Sequence, residues 1–546
     1  MIKMEKSSLG IWFLIVASLV SCLALLCADY LTFGGIYGIT LLFSNFTTSI
    51  DASKFVSVNS SQVSSSSRMA VSPVPMIDSG KTIEKEGQLN IIDSVSFLRS
   101  KSPSITESTE IAINDGAEIL TGGQEEDNCL GRYIYIHDLP SRFNDDVIKD
   151  CRKLIKWFDV CPFMANSGLG PAVENSRGVL SEKGWFMTNQ FFLESIFRDR
   201  MKGYECLTNN SAMASAIYVP YFAGFDIGRH LWGYNVSIRD SLGKTLAKWL
   251  RERPEWKSMG GRDHFFVAGR IAWDFRRVND EQDEWGSKLM FLPEFSNMTM
   301  LTIESTPWNN EIAIPYPTYF HPSSDDQVRQ WQNRVRTRTR TRRFLFSFVG
   351  APRPNMTGSI RGKIIKQCLS STRRCKLLNC HENNCDDPVK IMEVFQDSVF
   401  CLQPPGDSLT RRSIFDSILA GCIPVFFHPD SAYTQYLWYF PRNNTKYSIF
   451  IPEEDINKKG VSIKKVLAQV RKKKVKRMRE EVVNMIPSII YADPSSPLLN
   501  LEDAFDVAVS RVLERVGRVR RNMKEGKDVA AVRGSTIKLS ENIRVN

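Results

Sequence analysis

The sequence predicts an α/β protein built from two parallel-sheet units in tandem. Three observations carry this. The chain has 546 residues, more than the roughly 250–300 that one hydrophobic core supports. Short β-branched and aromatic runs alternate with stretches of helical apolar spacing, as in strands joined by helical crossovers. The alternation is broken once, by the basic run RVRTRTRTRR at 334–343, and then restarts. The balance of 71 Lys+Arg against 60 Asp+Glu, a net charge of +11, suits anionic lipid, nucleic acid or phosphorylated ligands alike, and chooses none of them.

Residues 9–28, LGIWFLIVASLVSCLALLCA, form an uncharged apolar run of about the ~20 residues that span a bilayer. A signal peptide is the rival reading, but the run is long for one and no small-x-small cleavage site stands out. Lys3 and Lys6 precede it and no Lys or Arg follows until Lys54, so the N-terminus is expected in the cytosol and the rest of the chain in the lumen. Sequons at Asn45, Asn59, Asn209, Asn235, Asn297, Asn355 and Asn443 agree with a secretory-pathway chain. Most of the 12 cysteines lie beyond the anchor, where disulfides are permitted, and their connectivity is open. Cys380, Cys385 and His381 have an irregular spacing that suits zinc poorly. Residues 29–128, including SSQVSSSS, have few aromatics and read as a disordered stem.

The folded part is expected from Cys129, with a first unit to about 340. RYIYIHDLP (132–140) reads as a buried strand, and AIYVPYFAGFD (216–226) as a strand emptying into a glycine loop. DSLGKTLAKWLRERPEW holds a helix ended by Pro254, DHFFVAGRIAWDF (263–275) begins as a strand, and MLTIES and AIPYP add strand or loop segments. The run at 334–343 is expected to be an interdomain connection with a solvated face; a lumenal location argues against nucleic acid. The second unit, 341–495, has strands in RFLFSFVGAPRP, DSVFCLQ and IPVFF and helices in SIRGKIIKQC and RRSIFDSILA, the latter closed by Gly421. This is a Rossmann-like alternation without the G-x-G-x-x-G fingerprint. RKKKVKRMREEVV reads as an exposed helix. A final helix at 496–525 is expected to pack across both units, followed by a tail at 526–546.

In such sheets ligands bind where strands run out into helix N-termini. The segment CLQPPGDSLTRRSIFDSILAGCIPVFF (401–427) offers Gly406, Ser408, Arg411, Arg412 and Asp416 at one strand–helix junction. Positive side chains are disfavoured at a helix N-terminus unless an anion joins them, so a phosphate is the expected partner. Asp416, four residues past Arg412, either orients that arginine or accepts a ribose hydroxyl. Gly350 and Arg353 in GAPRP end an earlier strand and reach the same anion. No D-x-D triplet occurs in the chain, so stabilisation of a diphosphate by arginines without a metal is expected. For a general base the candidates are Asp226 just beyond a strand, and Asp263 with His264 at the start of another, with Asp274 and Arg276 behind them. Aromatics in WGYN and TPWNN are candidates for stacking on sugars, although most tryptophans belong to cores.

The segments GRYIYIHDLPSRFN, KGWFMTNQFFLESIF, AIYVPYFAGFD, GRDHFFVAGRIAWDFRR, IPYPTYFHP, LFSFVGAPRP and the 401–433 stretch closely resemble plant members of glycosyltransferase family 47, the exostosin-like family, and within it the xyloglucan galactosyltransferase (Katamari-type) clade. The resemblance covers about 129–520. It implies a Golgi type II membrane protein of GT-B fold, two Rossmann-like domains facing a cleft, that inverts the anomeric centre of a UDP-sugar. It implies xylosyl side chains of xyloglucan as acceptor and allows other glycosyltransferases as partners; a lumenal location leaves no nucleic acid, and the arginines with no D-x-D leave no metal or other cofactor, in the expectation. Two departures, HPDSAY with Asp430 and WYFP with Tyr439, leave the donor sugar open among galactose, galacturonic acid and arabinose, and a mannan acceptor is an alternative. A lumenal sulfotransferase would need the same phosphate-binding loop and base, and a weakly catalytic scaffold of a polysaccharide-synthesising complex is a second alternative, since the family resembled includes partners that support active subunits.

Overall fold

The computed structural model describes residue 127 and residues 129–527, apart from 157, 175–177, 283, 339–341 and 381–384. The apolar run at 9–28, nearly all of 29–128, Asn45, Asn59 and His381 lie outside the described residues. Among the described residues no helix is long and apolar enough to cross a membrane.

Two five-stranded parallel sheets organise the chain. The first consists of β1 (Ile134–Ile136), β2 (Ala216–Tyr218), β3 (His264–Ala268), β4 (Thr299–Thr302) and β5 (Glu311–Ala313), side by side in chain order. The HFFVA of β3 is buried throughout. Phe265 and Val267 enter one core, and Phe266 and Ala268 another, as a parallel strand covered on both faces requires. Helices α1 (Leu193–Lys202) and α2 (Ala223–His230) pack on β3, and α3 (Val236–Arg251) packs on α2. The expected glycine loop at 224–226 is therefore the first turn of α2. Gly224 is needed for close approach: a Cβ there would lie 2.9 Å from Glu194 and 3.0 Å from Arg270. Pro254 opens a short helix, Pro254–Met259, at the first-turn position proline tolerates.

The second sheet has β6 (Phe344–Gly350), β7 (Cys375–Asn379), β8 (Ser398–Gln403), β9 (Ile423–Phe426) and β10 (Ile449–Phe450), in the order β7-β6-β8-β9-β10. Its order reverses between β6 and β8, which the first sheet's order does nowhere. Helix α4 (Asp325–Thr337) precedes it, and α5 (Arg361–Leu369), α6 (Pro388–Gln396), α7 (Arg412–Leu419) and α8 (Lys472–Asn484) surround it. Although α4 comes before the 340 boundary, it packs on the second unit: Trp331 Nε1 donates to Leu419 O (2.9 Å) and Gln332 to Val483 O (2.9 Å).

The basic run at 334–343 departs from the solvated face expected of it. Arg342 is sunk between β8 and α7, donating to Phe395 O (2.9 Å), Ser398 O (2.6 Å) and Ala420 O (2.7 Å). Arg336 pairs with Glu480 and Asn484 of α8. The run clamps strand and helix ends whose carbonyls would otherwise lack donors.

All ten described cysteines are paired: Cys129–Cys206, Cys151–Cys161, Cys368–Cys375, Cys380–Cys385 and Cys401–Cys422. Cys380 and Cys385 are thereby removed as metal ligands. Cys401–Cys422 ties β8 to the start of β9, beneath the loop that leads to α7.

The last helix, α9 (Ala504–Lys524), starts at a capping box: Asp503 Oδ1 accepts from Phe505 N and Asp506 N, and Asp506 answers Asp503 N. Its buried face, Phe505, Ala508, Val509, Val512, Val516 and Val519, recurs at helical spacing. That face returns to the first unit. Phe505 packs on Phe197 with ring centroids 4.8 Å apart, and Arg200 bonds Asp503 (3.3 Å) and Asp506 (3.2 Å). Arg515 reaches Thr299 and Asn309. Asp503 is fully buried, so Asp503→Ala would uncap the helix and leave Asp506 as the remaining carboxylate on Arg200.

Candidate active site

Where strand order reverses, the loops after the two central strands diverge and leave a crevice at their carboxyl ends. Here those loops are 351–360 after β6 and 404–411 after β8. Gly350 closes β6 where a Cβ would come 2.6 Å from the Phe348 ring. Arg353 makes a two-pronged bond to Asp407, Nε to Oδ1 at 2.7 Å and Nη2 to Oδ2 at 3.1 Å, which ties the two loops together. Arg361, at the start of α5, donates to Pro405 O (2.8 Å) and Ala351 O (3.2 Å). Burial pushes its guanidinium down to about 9, and repulsion from Arg411 and Arg353 adds to this.

Arg411 completes the cluster. It is the N-cap residue of α7, and no side chain caps that helix. Its Nε and Nη2 are buried and have no hydrogen-bond partner. Gly406 makes room for it: a Cβ on Gly406 would lie 1.6 Å from Nη2, so the guanidinium rests against bare backbone. Gly406 N donates to Ser408 O (2.9 Å), folding the loop around the arginine. Burial lowers the Arg411 pKa, while Asp407, Tyr316 and Glu304 pull the other way. A buried cation with free donors beside an uncapped helix terminus is costly unless an anion joins it.

The two adjacent arginines part company. Arg412 lies over the Tyr319 ring (3.8 Å), donates to Thr188 O (2.6 Å) and sits 3.5 Å from Asp416, so it clasps the first unit. Of the two roles open to Asp416, orienting Arg412 is the one its contacts display; burial pushes its carboxyl up to about 6 against the pull of Arg412.

From the first unit, Glu304 faces the same turn. It lies two residues past the end of β4, and its Oε2 accepts from Thr410 N (2.7 Å) and from the Thr410 hydroxyl. Oε1 has no hydrogen-bond partner among the described residues. Tyr316 OH bonds the same Thr410 hydroxyl (3.0 Å). Neighbouring contacts hold the two units in register: Ser305 N to Gln435 (2.8 Å), Gln435 Nε2 to Ser305 O (3.0 Å) and Tyr436 OH to Ile303 O (2.9 Å). Behind Glu304, Asp274 accepts from Arg270 and Trp285, both at 2.6 Å.

The three residues expected as bases lie elsewhere. Asp226 is buried in the first turn of α2, bonded by Tyr221 OH and Arg229 Nη2, each at 2.8 Å. The small pocket beside it is lined by Arg239, Asp240 and Lys288 rather than by the second unit. Asp263 and His264 stand at the amino end of β3, the edge opposite the crevice. His264 Nδ1 is 2.7 Å from Asp263 and its Nε2 3.1 Å from His137 Nε2, and Trp256 packs on its ring. A residue before a strand and one after it have the same neighbours in sequence, but only the latter reaches the ligand edge. Glu304 is a member of the MLTIES run itself, two residues past the end of β4, and a carboxylate at that carboxyl end is the signal that points to it; nothing in SIRGKIIKQC marks Arg361.

His137 is held down to about 3, chiefly by burial and then by His264, so it folds neutral. Below the ordinary imidazole value of about 6.5 the unfolded chain takes up a proton that the fold refuses. This group therefore costs stability as pH falls from 6.5 toward 3, by about 3 kcal/mol between pH 7 and pH 4. Thermal midpoints of wild type and His137→Asn across pH 4–7 should converge at the acid end.

Asn209, Asn235, Asn355 and Asn443 are exposed. Asn297 is half-buried with its Nδ2 donating to Gly260 O (2.9 Å), the atom a glycan would take. Tyr439 is buried with its hydroxyl on Ala504 O (3.0 Å), a tether for α9, and Asp430 accepts from Thr434 (2.9 Å). Among the described residues no group of three His, Cys, Asp or Glu could hold a metal ion.

Residues 128–468 match the model of the exostosin GT47 domain. In Arabidopsis thaliana, a probable xyloglucan galactosyltransferase, GT12, is 61% identical over 443 residues, 80% of this chain and 87% of that protein. The xyloglucan galactosyltransferase MUR3 is 57% identical, covering 75% and 66%. A xyloglucan-specific galacturonosyltransferase is 41% identical, covering 72% and 58%. Among solved structures, a pneumococcal O-GlcNAc transferase, GtfA, aligns over 51% of this chain and 59% of its own at 10% identity and a TM-score of 0.26, too slight a likeness to transfer any detail.

Proposed function

This chain belongs to the exostosin GT47 family and is a glycosyltransferase; we propose that it transfers galactose from UDP-galactose to xylosyl side chains of xyloglucan, in β-linkage, as a Golgi type II membrane protein of GT-B architecture. The observation that carries the donor side is the partnerless guanidinium of Arg411 against Gly406 at the start of α7. The diphosphate lies there, accepting from Arg411 and from the first N–H groups of α7, with Arg361 and the Arg353–Asp407 pair closing the far wall.

The sugar then projects toward the carboxyl edge of the first sheet, where Glu304 waits. An acceptor hydroxyl oxygen forms a bond to the anomeric carbon as the bond to the β-phosphate oxygen breaks. UDP leaves with the electron pair, and Glu304 Oε1 takes the hydroxyl proton. Thr410 holds the other carboxylate oxygen and aims the base. Attack opposite the leaving group turns an α-donor into a β-glycoside. Cations and a helix terminus stabilise the departing charge, so a divalent metal is not required.

The test is a panel of UDP-galactose, UDP-galacturonic acid and UDP-arabinose with desgalactosylated xyloglucan and mannan oligosaccharides, each with and without a chelator. Galactosylated xyloglucan formed equally fast in chelator is the expected result. Activity that chelator abolishes and Mn²⁺ restores would sink the metal-independent mechanism, and another preferred donor would revise the substrate.

A further inference from the structure

Among the described residues only two tryptophans are exposed, Trp273 at 52% and Trp308 at 56%. Trp273 comes from the loop at the carboxyl edge of β3, and Trp308 from the short connection that leads from Glu304 to the start of β5 at Glu311. Trp273 follows β3 in a turn whose Ala272 N donates to Glu304 O (2.8 Å), and Trp308 follows Glu304 by four residues. Trp308 is held in place: the Arg276 guanidinium lies 4.4 Å from its ring centre, and Phe291, itself exposed, meets it edge-on at 6.4 Å. Arg276 is buried and paired to Glu311, which also accepts from Thr306 N (2.8 Å). An indole fixed on one face and open on the other is a binding surface already ordered before its ligand arrives. Scattered exposed apolar residues need no explanation, but a cluster beside a reactive carboxylate does.

The charge beneath the platform is already neutralised by Glu311, so it does not select an anion. Its surroundings, Ser305, Thr306 and Asn309, carry hydroxyls and amides. A neutral ligand with apolar ring faces and a hydroxyl-rich rim matches this. We propose that Trp308, braced by Arg276 and Phe291, together with Trp273, is the acceptor platform on which the β-linked glucan backbone of xyloglucan stacks, presenting its side chain to Glu304. This rests on the acceptor assigned above.

The experiment compares the full chain in detergent as wild type, Trp308→Ala, Trp308→Phe and Trp273→Ala. Titration calorimetry would use the xyloglucan heptasaccharide without galactose, a mannan oligosaccharide of similar length, and UDP. Trp308→Ala should weaken heptasaccharide binding at least 10-fold, Trp308→Phe should recover part of it, and Trp273→Ala should weaken it less. UDP affinity should stay within twofold, which also reports an intact fold. Heptasaccharide binding unchanged in both alanine variants overturns the platform. If wild type instead binds only the mannan oligosaccharide and Trp308→Ala abolishes that, the platform stands and the xyloglucan acceptor falls. Failure of wild type to bind either glycan while UDP binds overturns the platform as an acceptor site.

Discussion

Arg411→Ala should weaken UDP binding about 100-fold, a loss of roughly 3 kcal/mol, and lower kcat/KM by a comparable or larger factor because the leaving group's charge grows in the transition state. The same substitution should raise, not lower, the thermal midpoint of the free protein. The guanidinium is buried with Nε and Nη2 unpaired, and removing an uncompensated buried cation relieves a cost instead of creating one. This opposition of binding and stability separates a ligand-holding arginine from a structural one. Arg412 supplies the contrast, since it holds Thr188, Tyr319 and Asp416. Arg412→Ala should destabilise the protein by about 3–5 kcal/mol, because it leaves the Asp416 carboxylate buried without its cation. Calorimetry with UDP and thermal unfolding of both variants checks the pair. Unchanged UDP affinity in Arg411→Ala would remove the diphosphate from this crevice.

The two sheets were legible because their strands are buried on both faces and read as continuous apolar runs, and the loops after β6 and β8 were legible because glycine, proline and arginine mark them. Strand order was not. Periodicity identifies a strand without saying which neighbour it pairs with, so the reversal between β6 and β8, which places the crevice, emerged only in three dimensions. The arginine pair shows the same limit from another side. Adjacent residues at a helix start point in different directions, and nothing in RR says which one faces the crevice. Arg342 illustrates a third gap: a run alternating arginine with threonine looks solvated, yet this member of it meets the carbonyls of Phe395, Ser398 and Ala420, which are distant in sequence. Asp263 and His264 read as catalytic because acid and imidazole adjoin, but the amino end of β3 commits them to a buried contact with His137.

Glu304→Gln should lower kcat by roughly 10²–10⁴-fold while leaving UDP affinity and the thermal midpoint close to wild type. The amide keeps an oxygen that can accept from Thr410 N and the Thr410 hydroxyl, as Oε2 does now, so the turn before Arg411 stays in place and only the capacity to take a proton is lost. Glu304→Ala should lose that capacity and also free the Thr410 donors, so UDP affinity should fall modestly as the turn loosens. A nucleophile that carries no proton needs no base. With Glu304→Ala, UDP-galactose and azide, attack on the anomeric carbon should expel UDP and yield β-galactosyl azide at a rate well above that of the variant with its sugar acceptor. Asp226→Asn offers the control: its carboxylate is tied to Tyr221 and Arg229 inside α2, so it should alter stability and leave no azide-dependent rescue. Azide rescue in Asp226→Asn, with none in Glu304→Ala, would move the base back to α2, and the crevice at β6 and β8 would then need the first unit to close differently upon it.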